Sequence, residues 1–399
     1  MSKSDLLFLV SVASIPIQLN KFFFPDYSFV FGLPVDYRGI SIYLSHIAIV
    51  LYLVAFVLEN LKNHKKIFQR FKLFALVLFL FNSYLFISSA IFSVSNVASL
   101  IYNIKILTLS LFSYAAAITL SKKPITKPLI TVIKLSVFWE SALVVAQFLL
   151  QRSLNLWLIG ERSFDVSTPG IAHSQLFGSQ ILRPYGTFPH PNVLAAYLVI
   201  SLIILGSDAR RQFLATAALI LTFSRSAYLV AASAILASTR KVQYLAVELA
   251  LAAAAALFLT KQLLTSQLSS VAERLLLIQS ALDISLKNPL FGVGSNNFIL
   301  ELSKLDLTSL SQTRLLQPVH NVFLLIATEN GIVGLLLFTA VLFVASKHVN
   351  SKTKALLFIA LLAFSSIDHF LWTLHQGQMM LFLILAYIVS KKQSTKKGV

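Results

Sequence analysis

Apolar runs recur from Leu6 to Val389, and no polar or Pro/Gly/Ser-rich linker between them is long enough to separate soluble domains. A helix needs about 20 apolar residues to cross a 30 Å hydrocarbon core. Runs near 6–19, 41–58, 73–90, 100–120, 129–150, 191–205, 242–260, 321–345, 355–367 and 378–389 approach that length. Composition supports the same reading. Of 399 residues, 57% are hydrophobic and 12% charged, against about 45–50% and 25% in soluble domains, which excludes a soluble globule. The expectation is a single polytopic membrane domain over 1–399. The first run could be a signal-peptide core, but no A-x-A site follows and the next run is close behind, so it reads as an uncleaved helix. Cysteine is absent, which excludes disulfides, thiolate chemistry and cysteine metal sites.

Basic residues outnumber acidic ones, 33 to 15, so the placement of charge must decide between a nucleic-acid partner and a membrane topology signal. The deciding segment is 212–238, apolar except for Ser224-Arg225-Ser226 at its centre. It is either one long span or a hairpin of two short ones. Taken as a hairpin, it puts Lys3, the 62–72 group, the 122–127 group, Arg210 and Arg211, Arg240 and Lys241, the 347–354 group and the 391–397 group on one face. That is 20 of the 33 basic residues, all in short segments, whereas a single span erases the asymmetry. The positive-inside rule therefore selects the hairpin and no nucleic-acid partner. The predicted fold is an all-α integral membrane protein of about twelve transmembrane helices with both termini cytoplasmic. Two long outer-face loops, 151–190 and 261–320, remain, too long to be simple connections.

Each hairpin arm has about a dozen apolar residues, roughly 18 Å of helix, so Arg225 should lie below the outer surface. An intramembrane arginine facing a cavity is by default a site for an anion or a carboxylate. The alternative is a guanidinium snorkelling at a helix end. In the second loop, Ser270-Val271-Ala272-Glu273 forms a capping box, and its helix should end before Asn288-Pro289. Glu273, Ser280, Asp283 and Lys287 form the wet stripe of this amphipathic helix, with Arg274 at the edge of its apolar face. Arg274 could meet a lipid phosphate, or pair with acids of the same loop. The glycines of Phe291-Gly292-Val293-Gly294 read as architecture, because no strand precedes them as in a phosphate loop.

His320 ends the loop at the membrane interface, where it is either structural or a base for a hydroxyl. Asn321 could cap the next helix. Glu329 is an intramembrane carboxylate, suited to an arginine partner or a proton relay. The first loop contributes Arg183 and His190 in Arg183-Pro184-Tyr185-Gly186-Thr187-Phe188-Pro189-His190-Pro191-Asn192. No D-x-D, H-E-x-x-H or carboxylate cluster accompanies them, so neither a metal nor another cofactor is expected. Asp26, Asp36, Asp368, His369 and His375 are scattered and read as solvated surface residues.

Three stretches together resemble the O-antigen ligase and polymerase superfamily of polytopic glycan transferases. They are 183–192, the turn Thr222-Phe223-Ser224-Arg225-Ser226, and Glu273-Arg274 leading through 288–294 to His320-Asn321 and Glu329-Asn330-Gly331. The ligase-like core is 183–335, including the loop 261–320. The resemblance implies a bacterial cytoplasmic-membrane enzyme that moves a glycan from undecaprenyl diphosphate to an acceptor hydroxyl at the outer face, without metal and with inversion. It further implies that Arg225 and Arg274 hold the diphosphate and that His320 is the base. Arg183, His190, Asn321 and Glu329 are expected to bind substrate. The partners would be a lipid-linked glycan donor, a glycan, lipid or protein acceptor, and membrane lipids. A transporter or flippase of a lipid-linked anion is the competing class.

Overall fold

The computed structural model describes residues 1–63, 69, 71–176, 178–206, 213–238, 268–305 and 316–391. The described chain is mostly helical. The first five helices are α1 (Lys3–Ala13), α2 (Leu44–Asn60), α3 (Lys72–Ile91), α4 (Asn96–Leu120) and α5 (Thr126–Leu150). Then come α6 (Pro191–Leu205), α7 (Phe213–Leu221), α8 (Arg225–Ser238), α9 (Leu268–Lys287) and α10 (Phe298–Leu302). The chain closes with α11 (Val322–Ser346), α12 (Lys352–Ile367), α13 (Phe370–Thr373) and α14 (His375–Val389). Among the described residues, Lys72–Ile91, Asn96–Leu120, Lys123–Leu150 and Val322–Ser346 are long and apolar enough to cross a membrane, and α2, α6 and α14 are shorter apolar helices. The expected span over 242–260 lies outside the described residues, as do Arg210, Arg211, Arg240 and Lys241.

The connections are not wholly irregular or helical. Strands β1 (Asn20–Phe23) and β4 (Ile40–Tyr43) pair antiparallel, with Asn20 opposite Tyr43, and enclose the small ribbon of β2 (Phe29–Val30) and β3 (Leu33–Pro34). A third ribbon joins β5 (His173–Leu176) to β6 (Ser179–Leu182) in the 151–190 loop. The connection before α2 is thus a third structured element beside the two long loops.

The helix α6 is apolar all round and buried nearly throughout, and α14 is buried nearly throughout as well, which makes both central helices among the described residues. Neighbours are pinned by buried polar pairs that have no water to compete for them. Tyr197 donates to Ser136 at 2.6 Å, Asn103 to the Leu85 carbonyl at 2.9 Å, and Tyr52 and Thr119 share a bond of 2.9 Å.

The two ends of the bundle differ in chemistry. At one end Lys122 pairs with Asp5 at 2.6 Å, Ser4 donates to Glu59 at 2.6 Å, Lys391 N–H donates to Ser121 at 3.0 Å and Lys354 reaches the Ser390 carbonyl at 2.5 Å. This end gathers lysines and the described ends of the chain. The opposite end gathers the structured connections.

The 212–238 segment is broken as its central polar triplet predicts. Helix α7 stops at Leu221 and α8 begins at Arg225, with Phe223 in left-handed backbone between them (φ 53°). Thr222 closes the break: its hydroxyl donates to the Leu219 carbonyl at 2.6 Å and accepts the Ser224 N–H at 3.3 Å.

A second break interrupts α11 at Gly331 (φ 65°). The carbonyls of Thr328 and Glu329 are taken instead by the N–H groups of Val293 (3.1 Å) and Gly294 (2.7 Å), while Ile332 N–H goes to the Pro289 carbonyl at 2.9 Å. A side chain at Gly331 would run into the Leu290 carbonyl and one at Gly292 into the Glu329 backbone, so both positions require glycine. The 289–294 turn therefore plugs the kink, which places the end of α9 against α11.

Two readings of α9 need correction. It starts at Leu268, ahead of the proposed cap at Ser270. Its expected wet stripe is also only half exposed: Asp283 and Lys287 are exposed but Glu273 and Ser280 are buried with Leu277, Ala281 and Ile284, whereas Leu275, Ile278, Leu282 and Leu286 are exposed.

Candidate active site

The first long loop is fastened to α5 by two buried side chains. Gln147 Oε1 accepts the N–H groups of Tyr185 and Gly186, each at 2.9 Å. Its amide donates to Glu161 at 2.8 Å, and Glu161 in turn accepts Leu154 and Leu156 N–H at 2.8 and 2.7 Å. Glu140 accepts the Thr187 hydroxyl at 2.5 Å. This clamp sets the path of 183–190 toward α6. His190 is the N-cap of α6, its Nδ1 accepting Asn192 N–H at 3.1 Å, and Pro191 occupies the first helical turn.

Arg183 then ties three elements together. Its Nε–H donates to the Thr222 carbonyl at 2.9 Å, and its Nη2 donates to Asn192 Oδ1 at 2.8 Å. Asn192 passes the contact on by donating to Asp368 Oδ2 at 3.3 Å. The α7–α8 turn is thereby held at the end of the bundle where the long loops gather. Arg225 follows that turn, close enough to Arg183 and to Arg274 for their positive charges to oppose one another.

These connections surround a cavity of about 1010 Å³. Arg183, His190, Arg274 and His320, four of the residues expected from the sequence, line it together with Glu273, Asp368 and His369. His320 and His369 meet edge to face at 5.0 Å between ring centroids, and Tyr37 meets His369 in the same way at 5.5 Å. His369 N–H donates to Asp368 Oδ1 at 2.7 Å.

The electrostatics follow from burial. Burial lowers the His320 imidazole below its ordinary range, and the neighbouring Asp368 carboxylate opposes that drop. It pushes His369 down to about 4, again against Asp368, and His190 down to about 3, with Arg183 adding to the effect. Burial also works against the Asp368 carboxylate, but His369, His320, His190 and Arg274 hold it below its ordinary value. Arg183 is pushed down to about 10 by burial and remains a cation at neutral pH. The arrangement at neutral pH is neutral imidazoles around one anion, beside guanidiniums.

Two expected binding residues are engaged elsewhere. Asn321 caps α11, its side-chain oxygen accepting Leu324 N–H at 2.9 Å while its amide donates to the Ser366 carbonyl at 3.0 Å. Glu329 is buried behind the cavity, where it accepts Phe298 N–H at 3.3 Å and its charge faces Arg38. Neither lines the cavity.

Asp368, His369 and His375, read from the sequence as solvated, are instead buried and line the cavity. The signal available was three ionisable side chains crowded into one short turn between apolar runs. The expectation of no metal rested on the lack of a spaced ligand motif. His320, Asp368 and His369 nevertheless bring ligating atoms within 4.8 Å of one another, a donor set that could hold a metal ion. Arg38 was also missed. Its buried guanidinium donates to the carbonyls of Tyr27 (2.9 Å) and Asn296 (2.8 Å), locking the connection before α2 to the 288–297 turn.

A turn bearing one arginine, a loop helix bearing a second and a histidine ahead of a broken helix thus converge from one continuous part of the chain. Residues 212–339 match the O-antigen ligase family model. No curated protein matches the chain. The matched segment contains Arg274 and His320, which line the cavity, and Arg225, which does not, whereas the other lining residues Arg183, His190, Asp368 and His369 lie outside it. The chain is a multi-pass membrane protein, about a third of which is similar to the O-antigen ligase family.

Proposed function

We propose that the protein is a glycan transferase that moves a sugar chain from a polyprenyl diphosphate carrier to an acceptor hydroxyl on the outer side of the bacterial cytoplasmic membrane. The carrying observation is that His320 and Arg274, from the family segment, line one cavity with Arg183 and Asp368, from outside it. The lysine-rich end then faces the cytoplasm, with both termini there and twelve crossings in all, in keeping with the positive-inside rule.

In this reading His320 takes the proton of the acceptor hydroxyl. The acceptor oxygen attacks the anomeric carbon, the bond from that carbon to the diphosphate oxygen breaks, and the diphosphate leaves with the electron pair. Direct displacement inverts the anomeric centre. Arg225 and Arg274 neutralise the charge that grows on the leaving diphosphate, and Arg183 holds the turn that carries Arg225. The Asp368 anion stabilises the imidazolium that forms on His320. Glu329 and Asn321 support the frame behind the site.

Two features favour transfer over transport. The cations and the imidazoles share a chamber built from connections at one end of the bundle rather than at the midplane where transporters usually keep their sites, and a neutral imidazole adds no charge to hold an anion but can take a proton from a hydroxyl. The test is transfer from a synthetic undecaprenyl diphosphate oligosaccharide by purified protein, with glycan, lipid and protein acceptors offered in parallel. Carrier movement across vesicles with no glycan transfer to any acceptor would sink the proposal in favour of a flippase.

A further inference from the structure

The cavity extends beyond the histidines and arginines to a second charged pole. There it is walled by Tyr43 at the end of β4, by His46 and Val50 along one side of α2, and by Ile101, Lys105 and Thr108 along one side of α4. Lys105 lies nine residues into α4, roughly 14 Å along the helix at 1.5 Å per residue, and so at membrane depth. Among the described residues it makes no hydrogen bond and no ion pair, and its titratable neighbours are His46 and His375 rather than any carboxylate. His375, 2% exposed, shares a bond of 2.6 Å with Ser45 through Nε2, leaving its Nδ1 buried with no partner. His46 packs on the same ring at 4.0 Å. A cation therefore faces the cavity beside a buried imidazole nitrogen, with nothing among the described residues to satisfy either, and membrane segments seldom keep an unpaired cation without an anion.

The cavity also meets the lipid-facing surface here. Val50 on α2 lines it, and so does Ile104 on α4, yet they are 49% and 57% exposed. An opening flanked by apolar side chains at membrane depth does not suit a soluble anion. It suits an amphiphile whose chain stays in the bilayer.

We infer that the opening between α2 and α4 admits a phosphate-bearing membrane lipid, whose phosphate is held by Lys105 and whose chain lies along Val50 and Ile104. This pole is on different elements from Arg183, Arg225 and Arg274, and its occupancy does not depend on glycan transfer. The lipid phosphate could belong to a polyprenyl diphosphate or to a glycerophospholipid.

The full-length protein, purified into phosphatidylcholine nanodiscs, is loaded with undecaprenyl diphosphate, with phosphatidylglycerol or with inorganic phosphate, and retained ligand is measured per folded protein. The expected result is retention of at least one lipid. In an Arg225→Ala/Arg274→Ala background, which removes retention at the proposed diphosphate clamp, Lys105→Gln and Lys105→Met should reduce it by about tenfold, as expected when an ionic contact in a low-dielectric site is lost, and Lys105→Arg should keep most of it. Loss of the diphosphate alone in the Lys105 variants identifies a polyprenyl carrier, and loss of phosphatidylglycerol alone or with it identifies a site for anionic lipids in general. Ile104→Trp, which fills the opening and leaves the charge in place, should also cut retention, and it serves if the neutral variants fold poorly. Unchanged retention of both lipids in the Lys105 variants and in Ile104→Trp overturns the inference. So does inorganic phosphate binding as tightly as the lipids through Lys105.

Discussion

Arg183 donates its Nε–H to the carbonyl of Thr222 at 2.9 Å, three residues ahead of Arg225. A loop arginine from the first long connection thus holds the turn on which a second arginine is mounted. The same guanidinium reaches Asn192, and Asn192 reaches Asp368, so one chain of contacts spans the loop, α6, the α7–α8 turn and the end of α12.

That geometry separates the arginines by role. Arg225→Lys and Arg274→Lys should fail nearly as badly as the alanine variants, because lysine keeps the charge but loses the two-pronged donor. Arg183→Ala should reduce transfer by loosening the turn as well as by removing charge. Donor binding in detergent, measured beside transfer rates, checks both. Unchanged affinity and rate in the Arg225 and Arg274 variants would remove the diphosphate clamp.

His320→Ala should leave donor binding largely intact and lower turnover by about 10²–10⁴-fold if the residue is the general base. A base works deprotonated, so kcat/KM should rise with pH through the His320 ionisation and then level off. Burial sets that ionisation below the ordinary histidine value. Asp368 favours the protonated form, so Asp368→Asn should move the acidic limb to still lower pH while reducing the plateau. An acidic limb that moves upward in Asp368→Asn would contradict the pairing.

Transfer should survive EDTA, because the arginines supply the positive charge near the leaving group. His320, Asp368 and His369 make this a sharp test. Loss of activity restored by a divalent cation would reassign these three residues from base and partner to metal ligands.

Sidedness can be read by cysteine labelling in intact cells. Ser179→Cys, on the ribbon of the first long loop, should react with an impermeant maleimide, and Lys123→Cys, at the lysine-rich end, should not. The reverse pattern would put the cavity on the cytoplasmic side and undo the proposed reaction.

Asn321 should behave as a cap. Asn321→Ala should lower stability by about 1 kcal/mol, within the usual range for lost N-caps, and Asn321→Asp should largely restore it. Thermal unfolding in detergent measures this, and donor affinity should be unaffected. A drop in donor affinity with unchanged stability would return Asn321 to the binding site.

Where the backbone is helical is largely a local matter, and the sequence by itself determined most of it. The apolar runs place most helices to within a few residues. The polar triplet around Ser224 marks the α7–α8 break, whereas the kink of α11 at Gly331 interrupts a run that reads as one helix and is held by the 289–294 turn. Arg225, at the α7–α8 break, and His320, just ahead of α11, were singled out as candidates because a charged or ionisable side chain beside an apolar run has few places to go. Which face of a helix meets protein and which meets lipid was decided only by the tertiary structure. In water the apolar face turns inward, but a bilayer is as apolar as leucine. So Leu275, Ile278, Leu282 and Leu286 of α9 are exposed while Glu273 and Ser280 are buried. For the same reason Asp368, His369 and Lys105 could not be placed from their neighbours in sequence. Their partners come from helices far away along the chain, and only packing brings those helix ends to one chamber.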